Sequence, residues 1–171
     1  MKTKRQILER VSTLININHE DDEEFVIWEE EFLDLCTELH RFDINKKSDI
    51  YEILENCLDI LVHGPEDDSE GLYNMIEIII NKELDTSKVW DIAIKKAIIK
   101  YNFSKHRFLF LFHNIKFNNS YQKEQIKSLF NELDENTKSN LVFIFTDYNN
   151  LLPELGYSEY SKELIEMLSI P

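Results

Sequence analysis

The sequence predicts an all-α protein, and three observations carry that prediction. Only three Gly and three Pro punctuate 171 residues, too few for the turns that short strands and hairpins need. Apolar residues recur at helical steps along nearly the whole chain. The helices they define fall into pairs whose starts, near Ser48, Ser87 and Ser120, lie 39 and 33 residues apart. Stacked antiparallel helix pairs have this spacing, each pair burying its face against its neighbours. A HEAT-like α-solenoid and an irregular helical bundle both satisfy the pattern.

The elements follow in order. MKTKRQILERVSTLI reads as a short amphipathic helix. It has basic residues but no uninterrupted apolar segment and no small-residue cleavage site, so it does not read as a signal peptide. From about Asp22 to His40, the residues Phe25, Trp28, Phe32, Leu35, Cys36 and Leu39 line one helical face. Ser48 is the expected N-cap, with Asp49 in the first turn, of a helix carrying Ile50, Ile53, Leu54, Cys57, Leu58 and Leu61. Gly64-Pro65 stops it. Leu72, Met75, Ile76, Ile79 and Ile80 make the next helix. Thr86 or Ser87 is expected to cap the stripe Val89, Trp90, Ala93, Ala97 and Ile98. Ser104 precedes Phe108, Leu111, Phe112 and Ile115, and Ser120 precedes Ile126, Leu129, Phe130 and Leu133. Asn136 or Thr137 precedes Leu141, Ile144, Phe145 and Tyr148, and Ser158 precedes Leu164, Ile165 and Leu168.

Two runs compete with the all-helical reading. RFLFLF (Arg107 to Phe112) and NLVFIF (Asn140 to Phe145) could be buried strands flanking the helix at Ser120 to Leu133. That alternative is an α/β protein with strands near 107–112 and 140–145. Both runs extend into stripes of helical period and neither is bounded by Gly or Pro, so helix is the expectation.

The length suits one domain with a real core. It divides into an N-terminal acidic helical part at 1–47, helix-pair repeats at 48–150 and a C-terminal cap at 151–171. A hydrophobic content of 43% with 11 Phe argues against disorder, and 30% charged residues argue against a membrane protein. No apolar run is long enough to span a bilayer. Cys36 and Cys57 fall on apolar stripes and read as buried, reduced thiols of a cytoplasmic protein.

Charge is concentrated in one stretch. Residues 20 to 85 hold 22 acids and four bases, a net of −18, while the remainder, with 15 bases and 11 acids, is +4. Clustered carboxylates speed encounter with basic proteins and repel nucleic acid and anionic membrane. The expected partner is therefore a basic protein, with neither nucleic acid nor membrane. A merely solvated acidic surface is the bland alternative. The candidate partner-binding residues are Glu20, Asp21, Asp22, Glu23, Glu24, Glu30, Glu31, Asp34, Glu66, Asp67 and Asp68. The helix from Asp22 to His40 turns Glu23, Glu30 and Asp34 outward, flanked by Glu24, Glu31 and Glu38. Like charges four residues apart cost a helix a few tenths of a kcal/mol each, and no nearby Lys or Arg in the sequence offsets that. Trp28 would make a good interface anchor, yet it sits on the apolar stripe and belongs to the core.

A catalytic search returns little. There is no Gly-rich phosphate loop, no GxSxG elbow, no HExxH and no Cys pair with metal spacing. His19, His40, His63, His106 and His113 stand in no Glu-x-x-His arrangement. The clusters Glu20 to Glu24 and Glu66 to Asp68 lack the alternation and internal Gly of a calcium loop. The expectation is no enzyme, no cofactor and no metal. An acid-and-metal enzyme built on the β-α-β alternative stays open.

One resemblance bears on function. GLYNMIEIIIN (Gly71 to Asn81) and HRFLFLFHNIKFNNSYQKEQIKSLFNEL (His106 to Leu133) carry it, with Glu77 and Asn114 as polar landmarks, over roughly Ser48 to Asn150. In these segments the chain resembles the helical immunity proteins of bacterial polymorphic toxin systems, including contact-dependent growth inhibition. The resemblance implies a protein that binds and neutralises one cognate toxin domain, often a basic nuclease. It carries no individual residue across. A helical-repeat scaffold for another basic protein or peptide is the alternative.

Overall fold

In the computed structural model, which describes residues 3–17, 22–42, 47–63, 69–82, 84–101, 105–117, 119–151 and 158–169, the periodic stripes become helices. They are α1 (Lys4–Asn16), α2 (Asp22–Arg41), α3 (Lys47–His63), α4 (Ser69–Ile80), α5 (Thr86–Lys100), α6 (Lys105–Asn114), α7 (Ser120–Glu132), α8 (Glu135–Leu151) and α9 (Ser158–Ser169). No strand occurs among the described residues, and the protein is all-α with packed helices. Gly64 and Pro65 lie outside the described residues, immediately after the end of α3.

The chain divides into two compact units, Met1–Leu84 and Asp85–Pro171. In the N-terminal unit α1 packs on α2 and α3, and α4 packs on α2 and α3. The pair α1–α2 is thus stacked on the pair α3–α4. α1 and α2 run antiparallel: the indole N–H of Trp28 donates to the Leu14 carbonyl (3.2 Å), while Arg10, one turn earlier in α1, meets Glu38 further along α2. The core is largely aliphatic, holding Ile7, Val11 and Leu14 of α1, Leu35 and Leu39 of α2, and Ile53, Leu54 and Leu61 of α3. Trp28 stacks on Phe32 with ring centroids 4.9 Å apart. Phe25 and Cys36, at the stripe's edge, are only half-buried, whereas Cys57 is fully buried. Both cysteines are free, and burial pushes the Cys57 thiol well above the ordinary range.

The C-terminal unit repeats the stacking, with α5 on α7, α6 on α8, and α9 closing against α7 and α8. Its centre is aromatic, one ring per helix. Trp90 of α5 lies 5.3 Å from Phe112 of α6, 5.9 Å from Phe130 of α7 and 6.5 Å from Phe145 of α8. The Trp90 indole N–H donates to the Ile115 carbonyl at 2.9 Å, so the start of α5 meets the end of α6. This cluster explains why RFLFLF and NLVFIF are helical. Phe108, Leu111 and Phe112, and likewise Leu141, Ile144 and Phe145, are buried at helical steps, each set filling one side of its helix. A strand would have sent alternate residues of each run to the opposite face. A second contact group fastens α9: Tyr160 meets Phe117 (5.5 Å) and the edge of His113 (6.3 Å), with the Lys116 ammonium 5.0 Å above its ring. Burial, aided by Lys116, lowers the His113 pKa below that of an ordinary histidine.

Several helix starts differ from the expected ones in a consistent way. Asp85, not Thr86 or Ser87, caps α5, accepting from the backbone N–H of Ser87 (2.9 Å) and Lys88 (3.4 Å). α7 begins at Ser120, as expected, and Asn119 caps it, accepting from the Gln122 N–H at 2.9 Å. Asp134 precedes α8 and accepts from the Thr137 N–H and hydroxyl at 2.9 and 2.7 Å, so neither Asn136 nor Thr137 is the cap. Ser48 lies inside α3, which begins at Lys47. At α1, Thr3 and Gln6 form a reciprocal capping box.

Candidate protein-binding surface

The charge asymmetry coincides with the division of the fold. Residues 1–84 hold 22 acids and eight bases, and residues 85–171 hold 11 of each, so the whole net charge of −14 belongs to the N-terminal unit. Within that unit α2 is the acidic helix. Its stripe of Trp28, Phe32, Leu35 and Leu39 faces the core, which turns Glu23, Glu24, Glu29, Glu30 and Asp34 to solvent.

One expectation about α2 needs correction. A base does offset its carboxylates, and it comes from another helix. Arg10 of α1, its side chain only 14% exposed, places Nη1 2.7 Å from Glu31 and 3.3 Å from Asp34, and Nη2 3.4 Å from Glu38. Glu31 and Glu38 therefore lie along the α1 seam, while Asp34, 71% exposed, sits at its outer rim. Antiparallel packing of α1 on α2 creates this bridge, and no count of local charges reveals it.

The other candidates fall as follows. Glu23, Glu24 and Glu30 lie exposed on α2, Glu31 is half-buried against Arg10 and Asp34 is exposed. Asp22 opens α2, but its side chain is outside the described residues, as are Glu20, Asp21, Glu66, Asp67 and Asp68. Among the described residues α2 alone thus brings candidate residues together. Phe108 and Phe112 of the aromatic helix α6 are core.

Sequence reasoning missed three further residues of α2. Val26, Ile27 and Leu33 are 53%, 52% and 66% exposed. Their signal was available: they stand off the core stripe, at helical steps of their own.

Two grooves among the described residues hold no reactive constellation. A groove of about 550 Å³ between the end of α2 and α4 is lined by His40, Asn74, Glu77, Ile78, Asn81 and Lys82. Beside it the Lys82 ammonium meets the carbonyls of His40 (3.5 Å) and Phe42 (3.1 Å), satisfying groups that α2 leaves open at its C-terminus. A groove of about 440 Å³ between α5 and α7 has Ser87, Asp91, Ser128, Leu129 and Glu132 along it. Neither lining sets a histidine beside a serine or cysteine. Among the described residues no three His, Cys, Asp or Glu side chains are grouped to hold a metal ion. None of the helices there is long and apolar enough to cross a membrane. No protein-family model, curated protein or solved structure matches the chain.

Proposed function

We propose that this chain is a non-catalytic binding module whose acidic N-terminal unit captures a basic protein, and that this protein is a cognate toxin domain which the chain neutralises. The observation that carries the reading is the confinement of the −14 net charge to one unit, with Glu23, Glu30 and Asp34 set on the solvent side of α2. Such a field raises the encounter rate with a positive surface and disfavours acidic competitors. The toxin part of the reading rests on the resemblance to helical immunity proteins, many of whose targets are basic nucleases. Two free thiols suit a reducing compartment, and we place the complex in the cytoplasm.

The test begins with co-purification of a protein encoded next to this one, followed by association kinetics. Converting Glu23 and Glu30 to Lys should slow association by about tenfold or more at low salt, and added salt should slow the wild type towards the same rate. Reversal of Glu124, Glu132 and Glu159 in the C-terminal unit serves as control, Glu135 being ion-paired with Lys138. Glu163 is unsuitable because it is ion-paired with Lys123. Rates indifferent to both salt and the α2 reversals would sink the proposal.

A further inference from the structure

Charge alone does not explain α2. At the rotation of an α-helix, Val26, Leu33 and Thr37 form one row, Ile27 and Asp34 a second, and Glu30 lies between them with Glu23 beside it. This strip lies on the side of α2 opposite Trp28 and Leu35, and from Glu23 to Asp34 it runs about 17 Å. Single exposed aliphatics are ordinary. Three of them more than half exposed, in one strip, on the most acidic helix of the chain, form a seam of the composition that helices present to other helices.

We propose, on the reading that the N-terminal unit captures a basic partner, that this strip is the docking seam for an amphipathic basic helix of that partner. Aliphatic side chains of the incoming helix seat along the row of Val26 and Leu33, beside which Glu30 and Glu23 lie. Lys or Arg residues on its flanks meet Glu23, Glu30 and Asp34, whose separations along the axis, about 10 and 6 Å, are those of residues seven and four apart on any α-helix. Arg41, exposed at the C-terminal end of α2, puts a positive charge at that end of the strip. A partner helix with one acid at the matching end therefore fits in a single direction.

Other occupants fit less well. Strand addition needs a sheet edge, and no strand occurs among the described residues. Proline-rich segments dock in aromatic grooves, whereas this seam is convex and aliphatic. A second copy of the chain pairing through the same strip would set Glu30 and its neighbours against their own kind. A helix packs ridges into grooves on such a surface, and only a basic one satisfies its rim.

The probe is a synthetic three-heptad peptide with Leu along one seam and Lys on its flanks, and a scrambled peptide of the same composition is the comparison. Binding to the full chain is read by fluorescence anisotropy, with circular dichroism confirming that each variant keeps its helices. The patterned peptide should bind the wild type at least about tenfold more tightly than the scrambled one. The Val26→Ser/Leu33→Ser double variant should lose that advantage, while Ile99→Ser/Phe143→Ser, which alters exposed aliphatic and aromatic groups of the other unit, should keep it. Equal binding of the two peptides, or an unchanged Val26→Ser/Leu33→Ser variant, overturns the proposal. If both peptides bind equally and Glu23→Gln/Glu30→Gln weakens both, the basic-partner reading stands and only the helical seam falls. If Glu23→Gln/Glu30→Gln weakens neither, both fall. Concentration-dependent self-association abolished by Val26→Ser/Leu33→Ser would assign the strip to a second copy and also overturn the proposal.

Discussion

Asp85 shows how much a single side chain does at a helix start. Its carboxylate is held below its usual pKa, first by the Ser87 hydroxyl and then by the backbone N–H groups of Lys88 and Ser87. The folded-state pKa is thus lower than the unfolded one. The resulting stabilisation is complete above about pH 4 and is lost as the pH falls through the lowered value. Asp85→Ala should cost about 1 kcal/mol at neutral pH. Asp85→Asn keeps a capping oxygen but cannot titrate, so any stability gap to the wild type should close on acidification. Denaturant melts between pH 7 and pH 3 would show this, and a gap independent of pH would refute it. The same residue explains an error of sequence reasoning. Hydroxyl residues stand at the starts of α5, α7 and α8, but an Asp or Asn just before them holds each cap, and the hydroxyls fall inside the first turn. Ser and Thr signal the region of a start, while the better acceptor nearby sets its place.

At the scale of the element, α2 is held by a neighbour that sequence proximity does not name. Arg10→Ala would leave Glu38, only 17% exposed, beside Glu31 and Asp34 without their cation. The expected loss is about 1.5–3 kcal/mol. Arg10→Met with Glu38→Gln keeps the aliphatic stem, removes the buried charge and should recover most of that loss. A neutral Arg10→Ala would mean the bridge contributes nothing. The helices themselves were legible because apolar periodicity is local: each stripe records which side of its own helix is dry. The strand alternative failed because Phe112 and Phe145 serve a core assembled from four helices, which no six-residue window displays. The acidic face of α2 was legible by the same helical geometry. Its aliphatic seam was overlooked because a search for the core stripe passes over the hydrophobic residues outside it, and Arg10 was invisible because its partners are brought to it only by packing.

Across the whole molecule, one unit is electrically loaded and the other is neutral. The N-terminal unit folds against its own net charge of −14, and such self-repulsion is relieved by salt. Raising ionic strength from about 0.01 to 0.15 M shortens the screening length from about 30 to about 8 Å. Amide hydrogen exchange should therefore slow in α2 and α3 but change little in α5 and α7. Equal changes in both units would argue that the carboxylates are already neutralised by their neighbours. The two tryptophans supply an optical way to pose the same question. The chain has two indoles, Trp28 in one unit and Trp90 in the other. Each is wholly buried and bonded through its N–H to a main-chain carbonyl. Every quantum of indole emission therefore comes from the interior of one unit or the other. Replacing either ring with Phe leaves a chain that reports from one unit alone, at the expense of one hydrogen bond. Light from Trp28 in a Trp90→Phe chain should follow a melting transition that moves with salt, and light from Trp90 in a Trp28→Phe chain should follow one that does not.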